Sequence, residues 1–372
     1  MSRHAIPIGR IFGISVDLDY SWFLVAGLLT WVLAASYYPS EFKNWSATEY
    51  WLMGGITALL LFGSVLLHEL GHSIVAMHYK IQVPRITLFI FGGVSQIAGE
   101  PPSAVAEFWI AIAGPAVSVA LAALFALLRP LVAPVNPLSA LAKYLALING
   151  MLAAFNLIPG FPLDGGRVFR AIVWGISRNF RKATLIAADA GRFFGFLFIA
   201  LGVWLALRGN FFNGLWTAFI GWFLESAAVA QVQQQVMQGL LTGHKVSEAM
   251  GHDYISISAE TTLEDVVRDH ILRSGRTSFV IMRGSEIVGL LTLQGIRQVP
   301  RADWATTTAV QAMIPAAQMQ GIRADAELWT ALEKMGKNGV DQLPVMEDAN
   351  IVGMLARDDL VHYLGILHAL SG

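Results

Sequence analysis

Long apolar runs dominate the N-terminal part of this chain, and they constrain its fold more than any other feature. Of its 372 residues, 55% are hydrophobic and only 14% are charged, whereas soluble domains average about 25% charged residues. The net charge of −1 gives no indication of nucleic-acid binding, and the absence of cysteine excludes thiolate metal ligands. The sequence therefore predicts a polytopic α-helical membrane protein, with the lipid bilayer as a partner.

About six spans can be placed on the chain. They cover 21–38, 50–79, 104–131, 141–177, 184–207 and 211–232. The fourth is too long for a single crossing. Its helix-breaking residues are Pro159, Gly160, Pro162, Gly165 and Gly166. We therefore expect one crossing followed by an interrupted re-entry.

Charged residues predict the orientation of these spans. An even number of spans places both termini on one side, and Lys and Arg favour the cytoplasmic side. With the N-terminus inside, the inner segments hold Arg3, Arg10, Lys80, Arg85, Arg178, Arg181 and Lys182, and the outer ones hold Lys43, Arg129, Lys143 and Arg208. The first run shows no small-residue cleavage site, so it is expected to be retained. The prediction is a multi-pass protein of the cell membrane with both termini in the cytoplasm.

Two short segments, 10–20 and 85–97, are β-rich rather than helical in pattern. Each is too short for a spanning helix, and Gly92 and Gly93 interrupt the second one. Backbone at membrane depth must be buried in protein or line a wet cavity. We therefore expect a small membrane-associated β-sheet or a re-entrant hairpin.

The second span carries the sequence HELGH at 68–72. Residues i and i+4 share one face of a helix, so His68 and His72 can hold Zn²⁺ while Glu69 serves as general base. Ionisable residues inside a bilayer are costly, which favours this role over a structural histidine pair. His68 lies about 12 residues from Lys80, or roughly 18 Å along a helix. The metal is therefore predicted within the bilayer, nearer its cytoplasmic face.

A catalytic zinc site usually has three protein ligands, and HELGH supplies two. Asp164 is the acid within the long fourth apolar segment, where the helix breaks let it face a neighbour. It is the predicted third ligand, although a helix cap or a partner of Arg167 is the alternative. Asn156 precedes the break. The sequence favours two roles for its amide to the same degree, binding of the substrate backbone and a helix–helix hydrogen bond.

The remaining polar residues of the spans are expected to be structural. Asp189 and Arg192 are spaced i, i+3 and can neutralise each other. Glu107 and Glu225 lie near span ends, from which they are expected to reach the membrane interface. Gly114, between an alanine and a proline, is expected to allow close packing and a kink.

The chain changes character after about Gln231. A polar–apolar connector over 231–241 is followed by a more charged region with two similar blocks. The sequence KVSEAM at 245–250 resembles TAVQAM at 308–313, and IVGLLTL at 287–293 resembles IVGMLAR at 351–357, with an offset of about 64 residues. The predicted domains are a membrane domain at 1–232, a linker at 233–244, and soluble α/β repeats at 245–303 and 304–372.

Three features together resemble one family: HELGH on the second span, NLIPGFPLDGGR at 156–167, which begins with Asn156, and the tandem repeat. They are similar to the site-2 protease family of intramembrane zinc metalloproteases, in the subgroup with a pair of CBS (cystathionine-β-synthase-type) domains. The resemblance covers nearly the whole chain. It implies one zinc ion per chain and a catalytic acid/base at Glu69. The implied zinc ligands are His68, His72 and Asp164, and the implied substrate-engaging residue is Asn156.

The resemblance also implies the substrate, because this family cleaves transmembrane segments of other proteins during regulated intramembrane proteolysis. The expected partner is a single-span membrane protein. A helix hides its carbonyl groups in internal hydrogen bonds, so the substrate must unwind and then needs backbone partners. A strand edge at 91–96, which includes Gly92 and Gly93, is predicted to bind it by β-augmentation.

Two other functions are compatible with parts of the sequence. A CBS-gated ion or metal transporter would use the same three metal ligands and a broken helix, but it gives no special reason for Glu69. A catalytically inactive binding protein is disfavoured because every motif position is intact.

The CBS resemblance implies adenine-nucleotide binding between the repeats. A typical repeat has Ser or Thr at the end of its second strand and Asp three residues later, for phosphate and ribose. The first repeat keeps Thr292 but has Gly295, and the second keeps Asp359 but has Ala356. Two alternatives remain for the CBS pair. It binds a nucleotide through Thr292 and Asp359, or it serves in homodimerisation or gating.

Overall fold

The computed structural model divides the chain into two compact units, 2–235 and 236–372. The residues it describes are 5–90, 92–96, 99–132, 136–252, 255–274, 278–284, 286–319, 321–338, 340–347 and 350–371. Within them, six helices are long and apolar enough to cross a membrane. The predicted polytopic fold is thereby confirmed.

The first unit contains seven helices in its described part. They are α1 (Tyr20–Glu41), α2 (Ala47–His78), α3 (Ala104–Leu131), α4 (Asn136–Asn156), α5 (Asp164–Ser177), α6 (Phe180–Leu207) and α7 (Phe211–Leu241). All except α5 are candidate spans. A π-helical turn, Leu33–Tyr37, lies within α1. The break between α4 and α5 falls at the cluster of prolines and glycines, because proline cannot continue a helix.

Polar caps set where the long helices begin. Ser46 and Glu49 form a reciprocal capping box at the start of α2. Ser103 accepts the Ala106 N–H at the start of α3, with an N···O distance of 3.2 Å. Helix α7 continues to Leu241, so the predicted connector at 231–241 is helical. Its Gln, Val and Met residues are compatible with a helix, and no proline interrupts them.

Four strands form the predicted small sheet, in the order β1 (Ala5–Ile11), β2 (Ile14–Asp19), β3 (Arg85–Phe89) and β4 (Gly92–Ser95). Only the β2–β3 pair is parallel. The first β-rich segment contains the turn of the β1–β2 hairpin, because the chain reverses at Phe12 and Gly13, with a φ of +84° at Gly13. Strand β4 is an edge strand of this sheet.

One face of the sheet packs on the end of α2 that follows the HELGH sequence. Ile14 and Ile86 from the sheet share a buried core with Leu70 and Ala76 of α2 and Ile110 of α3. This apolar contact holds strands β3 and β4 beside the helix that carries the predicted metal ligands.

In its described residues the second unit is α/β, with two small sheets. One has the order β5 (Ser256–Ser258), β6 (Ser278–Arg283), β7 (Glu286–Thr292) and β8 (Ile314–Pro315). The other has the order β11 (Asn350–Ala356), β10 (Gln342–Glu347) and β9 (Ile322–Arg323). The helices are α8 (Val246–Ala249), α9 at 263–274, α10 (Leu293–Arg297), α11 (Ala309–Ala312), α12 (Leu328–Asn338) and α13 (Arg357–Ser371).

The two repeats exchange their first helices. Val246 of α8 is buried in the core that Leu328 and Leu355 of the second repeat line. Ala309 of α11 is buried instead with Phe279 and Leu291 of the first repeat. Each three-dimensional core therefore contains residues from both sequence repeats.

Candidate metal centre and catalytic site

Helix α2 presents the two histidines of HELGH toward the protein interior, with His68 and His72 each only 4% exposed. The Nδ1 atom of His72 lies 2.6 Å from the Ile110 carbonyl oxygen, so Nδ1 carries the proton and donates it. The Nδ1 atom of His68 lies 2.9 Å from Ser118 Oγ. Both Nε2 atoms thereby remain available as ligands, and their N···N distance is 3.3 Å.

Asp164 reaches the histidines from the first turn of α5. Its Oδ2 atom lies 3.1 Å from His68 Nε2 and 3.2 Å from His72 Nε2. The segment before it is held against α6, because the Phe161 N–H donates to the Ala187 carbonyl at 3.2 Å. A Cβ atom at Gly160 would lie 2.5 Å from Gly191 Cα, so this approach requires glycine.

These residues fit a zinc ion. The ligand atoms of a tetrahedral zinc site, with bonds of about 2.0–2.1 Å, are separated by about 3.3 Å. The three atoms of His68, His72 and Asp164 match that spacing and form the one such cluster found among the described residues. A Cβ atom at Gly114 of α3 would lie 2.1 Å from His72 Nε2 and 2.7 Å from His68 Nε2. Gly114 therefore keeps the space at the ligand nitrogens open.

Glu69 lies between helix α2 and the edge strand β4. Its Oε2 atom accepts a hydrogen bond from Ser95 Oγ at 2.7 Å. A Cβ atom at Gly93 would lie 2.5 Å from Glu69 Cγ, so glycine allows the strand to lie directly on this side chain. The sequence indicated the carboxylate, but neither Ser95 nor the contact of Gly93 with it, because no local pattern pairs a strand with a distant helix.

The other predicted substrate residues occupy different positions. Asn156 is half-buried at the last residue of α4, one short loop before Asp164. Gly92 has a φ of +126°, and a Cβ atom there would meet no atom within 4 Å. Its role is conformational, because few side chains tolerate this φ. Phe91, at the start of the predicted strand edge, lies outside the described residues.

The structure uses both predicted nucleotide-binding residues in helix caps. Thr292 Oγ1 accepts the Gly295 N–H at 3.2 Å, and Asp359 Oδ2 accepts the Ala356 N–H at 2.8 Å. A complete capping box has two such hydrogen bonds, one from the side chain at each end of the first turn. The first repeat keeps the one made by Thr292, and the second keeps the one made by Asp359. A Cβ atom at Gly295 would lie 2.7 Å from the Ala312 carbonyl oxygen, so an aspartate there would require a backbone shift.

The expectation that Glu107 reaches the membrane interface is wrong. Glu107 is fully buried on α3, where its Oε1 atom accepts from Arg170 Nε of α5 at 2.8 Å. The Arg170 guanidinium also lies 5.0 Å and 4.6 Å from the ring centres of Phe161 and Phe180. The partners are 63 residues apart in sequence, which hides the pair from local pattern analysis. The predicted Asp189–Arg192 pair forms at 3.5 Å, and Glu225 lies 3.9 Å from Arg192.

A helix-borne HExxH pair completed by an aspartate, within a bundle of membrane-length helices, defines a membrane metalloprotease architecture. Comparisons with known proteins agree with it. The model of peptidase family M50 matches residues 56–143 and 132–202, and the CBS domain model matches 246–301 and 315–366.

Two relatives match almost the entire chain, and both carry the name of a zinc metalloprotease. Rip3 of Mycobacterium tuberculosis is 34% identical over 98% of this chain and 94% of its own length. The protein sll0528 of Synechocystis is 35% identical over 96% of this chain and 95% of its own length. Among solved structures, a site-2 protease from Methanocaldococcus jannaschii matches 62% of this chain and 95% of its own, with 28% identity and a TM-score of 0.41.

The chain belongs to peptidase family M50, the site-2 protease-like zinc metalloproteases, and it carries a C-terminal pair of CBS domains. It is therefore a multi-pass membrane enzyme. This assignment argues against the transporter and the inactive-binder alternatives, since the named relatives are metalloproteases over nearly the full length.

Proposed function

We propose that the protein is an intramembrane endopeptidase that cleaves transmembrane segments of single-span membrane proteins, as in regulated intramembrane proteolysis. The observation that carries this proposal is the position of His68, His72 and Glu69 on a membrane-length helix, with Asp164 converging from another helix. A protease site at this depth meets membrane segments rather than soluble chains.

His68, His72 and Asp164 would hold one zinc ion per chain. When bound, zinc polarises the scissile carbonyl and makes a water molecule more acidic. The Glu69 carboxylate takes the proton from the attacking water and passes it to the leaving amine. Ile110 and Ser118 orient the histidine rings, and Gly114 leaves room between them.

Strand β4 would supply backbone partners to the unwound substrate. It lies at the edge of its sheet and directly on Glu69, so a peptide added to this edge would run past the general base. Gly92 and Gly93 contribute conformation and close approach, and Asn156 would bind a substrate backbone group from the end of α4.

The decisive experiment is the substitution Glu69→Gln. The purified variant should retain zinc but cleave a single-span reporter at least about 100-fold more slowly, because general acid–base catalysis contributes about 10²–10⁴-fold. Glu225→Gln is the matched control, since this carboxylate lies on α7 beside Arg192, and it should keep wild-type activity. Wild-type cleavage by the zinc-loaded Glu69→Gln variant would refute the mechanism.

The CBS pair is proposed to regulate the protease, in one of two ways. Nucleotide binding would use Thr292 and Asp359, whereas the tight contact at Gly295 favours homodimerisation or gating. Calorimetric titration of the full-length protein in micelles with ATP and with AMP separates the two. Saturable heat that Asp359→Ala abolishes would support nucleotide sensing, and its absence would support dimerisation or gating.

A further inference from the structure

Two serine hydroxyls join strand β4 to the turn of α2 that carries Glu69. Ser95 Oγ donates to Glu69 Oε2 at 2.7 Å and lies 3.3 Å from Ser73 Oγ. Ser73 Oγ in turn donates to the Glu69 carbonyl oxygen at 2.8 Å. Because Gly93 also contacts the Glu69 side chain, the strand touches this residue at two alternate positions.

The register of β4 shows which of its backbone groups face the free edge. Ile86 pairs with Ser95 and Leu88 with Gly93 in the antiparallel β3–β4 ladder. The Gln96 N–H donates to the Arg85 carbonyl at 2.9 Å, so the pair next to Ile86 and Ser95 is a hydrogen-bonded one. Hydrogen-bonded and non-hydrogen-bonded pairs alternate along an antiparallel ladder. The N–H and C=O groups of Gly93 and Ser95 therefore point away from β3.

Gly93 and Ser95 thus contact Glu69 and also present backbone groups at the edge of the sheet. Their backbone groups face the edge to which an added strand would bond, and their α-carbons or side chains face Glu69. Any displacement of β4 on pairing with a peptide is transmitted to the Glu69 carboxylate through the Ser95 hydroxyl, because a hydrogen bond of 2.7 Å to a carboxylate is strong and directional.

We infer that Ser95 is a positioning residue that couples docking of the substrate strand to the orientation of the general base Glu69. This inference rests on the proposed intramembrane cleavage. It adds that a peptide bound at the strand edge fixes the orientation of the Glu69 carboxylate. Ser95 acts through its hydroxyl on Glu69, so its loss should lower kcat while leaving KM nearly unchanged.

The test compares Ser95→Thr with Ser95→Val, two side chains of the same shape of which only threonine keeps the hydroxyl. Both suit a strand. With the single-span reporter in micelles, kcat of Ser95→Val should be roughly tenfold below that of Ser95→Thr, and the two KM values should agree within about twofold. Zinc content, measured in the same samples, should be the same in both. Thr217→Val on α7 is the control, because it removes a hydroxyl that, in the described part of the chain, donates to the Asn213 carbonyl of its own helix, and it should leave both constants unchanged.

Three results would overturn the inference. They are equal kcat values for Ser95→Thr and Ser95→Val, a difference confined to KM, and a loss of zinc by Ser95→Val alone. If both variants lose zinc, the smaller Ser95→Ala decides, and a wild-type kcat for it would overturn the inference. Failure of wild-type protein to cleave, with zinc bound, would instead refute the proposed function itself.

Discussion

At the residue scale, the space between the two histidine rings depends on a single missing side chain. Gly114→Ala should abolish zinc binding, because the new Cβ atom would lie 2.1 Å from His72 Nε2. Helix α3 cannot retreat easily, since Ile110 and Ser118 on the same helix bond both rings. Zinc content of the purified variant, by atomic absorption, measures the effect.

Gly63→Ala on α2 is the matched control for the Gly114 substitution. A Cβ atom there would meet no atom within 4 Å, and alanine favours a helix over glycine, so zinc content should stay at the wild-type level. A full zinc complement in Gly114→Ala would show that the rings are not confined as the structure indicates.

A second residue-scale feature is a hydrogen-bonded group of His244, Glu248 and Tyr363 in the CBS unit. Glu248 Oε2 accepts from Tyr363 Oη at 2.6 Å and lies 2.8 Å from His244 Nδ1. The hydrogen bond from the Tyr363 hydroxyl is the largest cause, and that with His244 the next, of a pKa of Glu248 lowered to about 2. Burial, followed by the bond to Glu248, raises the pKa of Tyr363 to about 12.

The two pKa shifts predict how stability depends on pH. The lowered pKa of Glu248 stabilises the fold above the ordinary value of about 4.3, and this is lost as pH falls toward 2. The raised pKa of Tyr363 stabilises the fold below about 10, and this is lost as pH rises toward 12. Tyr363→Phe should therefore lower the thermal unfolding midpoint of the CBS unit most between about pH 5 and pH 9, the window between those two ordinary pKa values.

Calorimetry of the full-length protein in micelles at acidic, neutral and alkaline pH provides the measurement for Tyr363→Phe. Tyr79→Phe in the membrane unit controls for loss of a phenol hydroxyl and should leave this transition unchanged. A midpoint difference that is the same at every pH would contradict the assigned pKa shifts.

The sequence predicted the residues that carry the chemistry of the site better than the residues that hold them in position. His68, Glu69 and His72 are indicated by spacing along one helix, and Asp164 by its isolation in an apolar segment. Gly114 was recognised only as a close-packing residue, and Ser95 not at all. Their contacts join α3 and β4 to α2, and such distances depend on tertiary packing that has no local sequence pattern.

At the element scale, a buried ion pair joins α3, which lies behind the histidines, to α5, which begins with Asp164. Arg170→Ala should destabilise the membrane unit by about 3–5 kcal/mol, because it removes the charged partner that donates a hydrogen bond to the buried Glu107 carboxylate. The double variant Glu107→Leu with Arg170→Leu should be less destabilised than Arg170→Ala. Thermal unfolding in micelles, with zinc retention measured alongside, tests both expectations.

Arg192→Ala is the matched control for the buried pair. Arg192 is 45% exposed beside Asp189 and Glu225, and exposed pairs contribute about 0–1 kcal/mol. If Arg170→Ala proved no more harmful than Arg192→Ala, the ion pair could not be what holds α5 in place.

Element boundaries were predictable where composition marks them and not elsewhere. The α4–α5 break was expected from its prolines and glycines, and the small sheet from its β-rich segments. The first strand of the hairpin at Phe12 and Gly13 was not predicted, because Ala5–Ile11 lies mostly before the β-rich segment at 10–20. The exchange of α8 and α11 between the CBS cores was also missed, since similar repeats give no sign of which copy each helix packs against.

At the scale of the whole molecule, the proposed orientation has direct consequences for chemical labelling. The excess of Lys and Arg on the inner segments predicts cytoplasmic termini and a cytoplasmic CBS unit. The chain contains no cysteine, so single cysteines can be introduced without a background signal. Position 43 lies between α1 and α2, and position 210 lies between α6 and α7. Cysteines introduced there by Lys43→Cys and Asn210→Cys should face the outside of the cell. His252→Cys in the CBS unit should face inward and is exposed.

A membrane-impermeant maleimide applied to intact cells should label the cysteines at 43 and 210 and leave the one at 252 unlabelled. Permeabilised cells provide the control, since all three variants should then react to a similar extent. Labelling of position 252 alone in intact cells would invert the orientation and place the CBS pair outside. It would also move Glu69 and strand β4 toward the outer face, because both lie near the end of α2 that leads to Lys80. The labelling pattern therefore decides from which side of the membrane a substrate would reach the site.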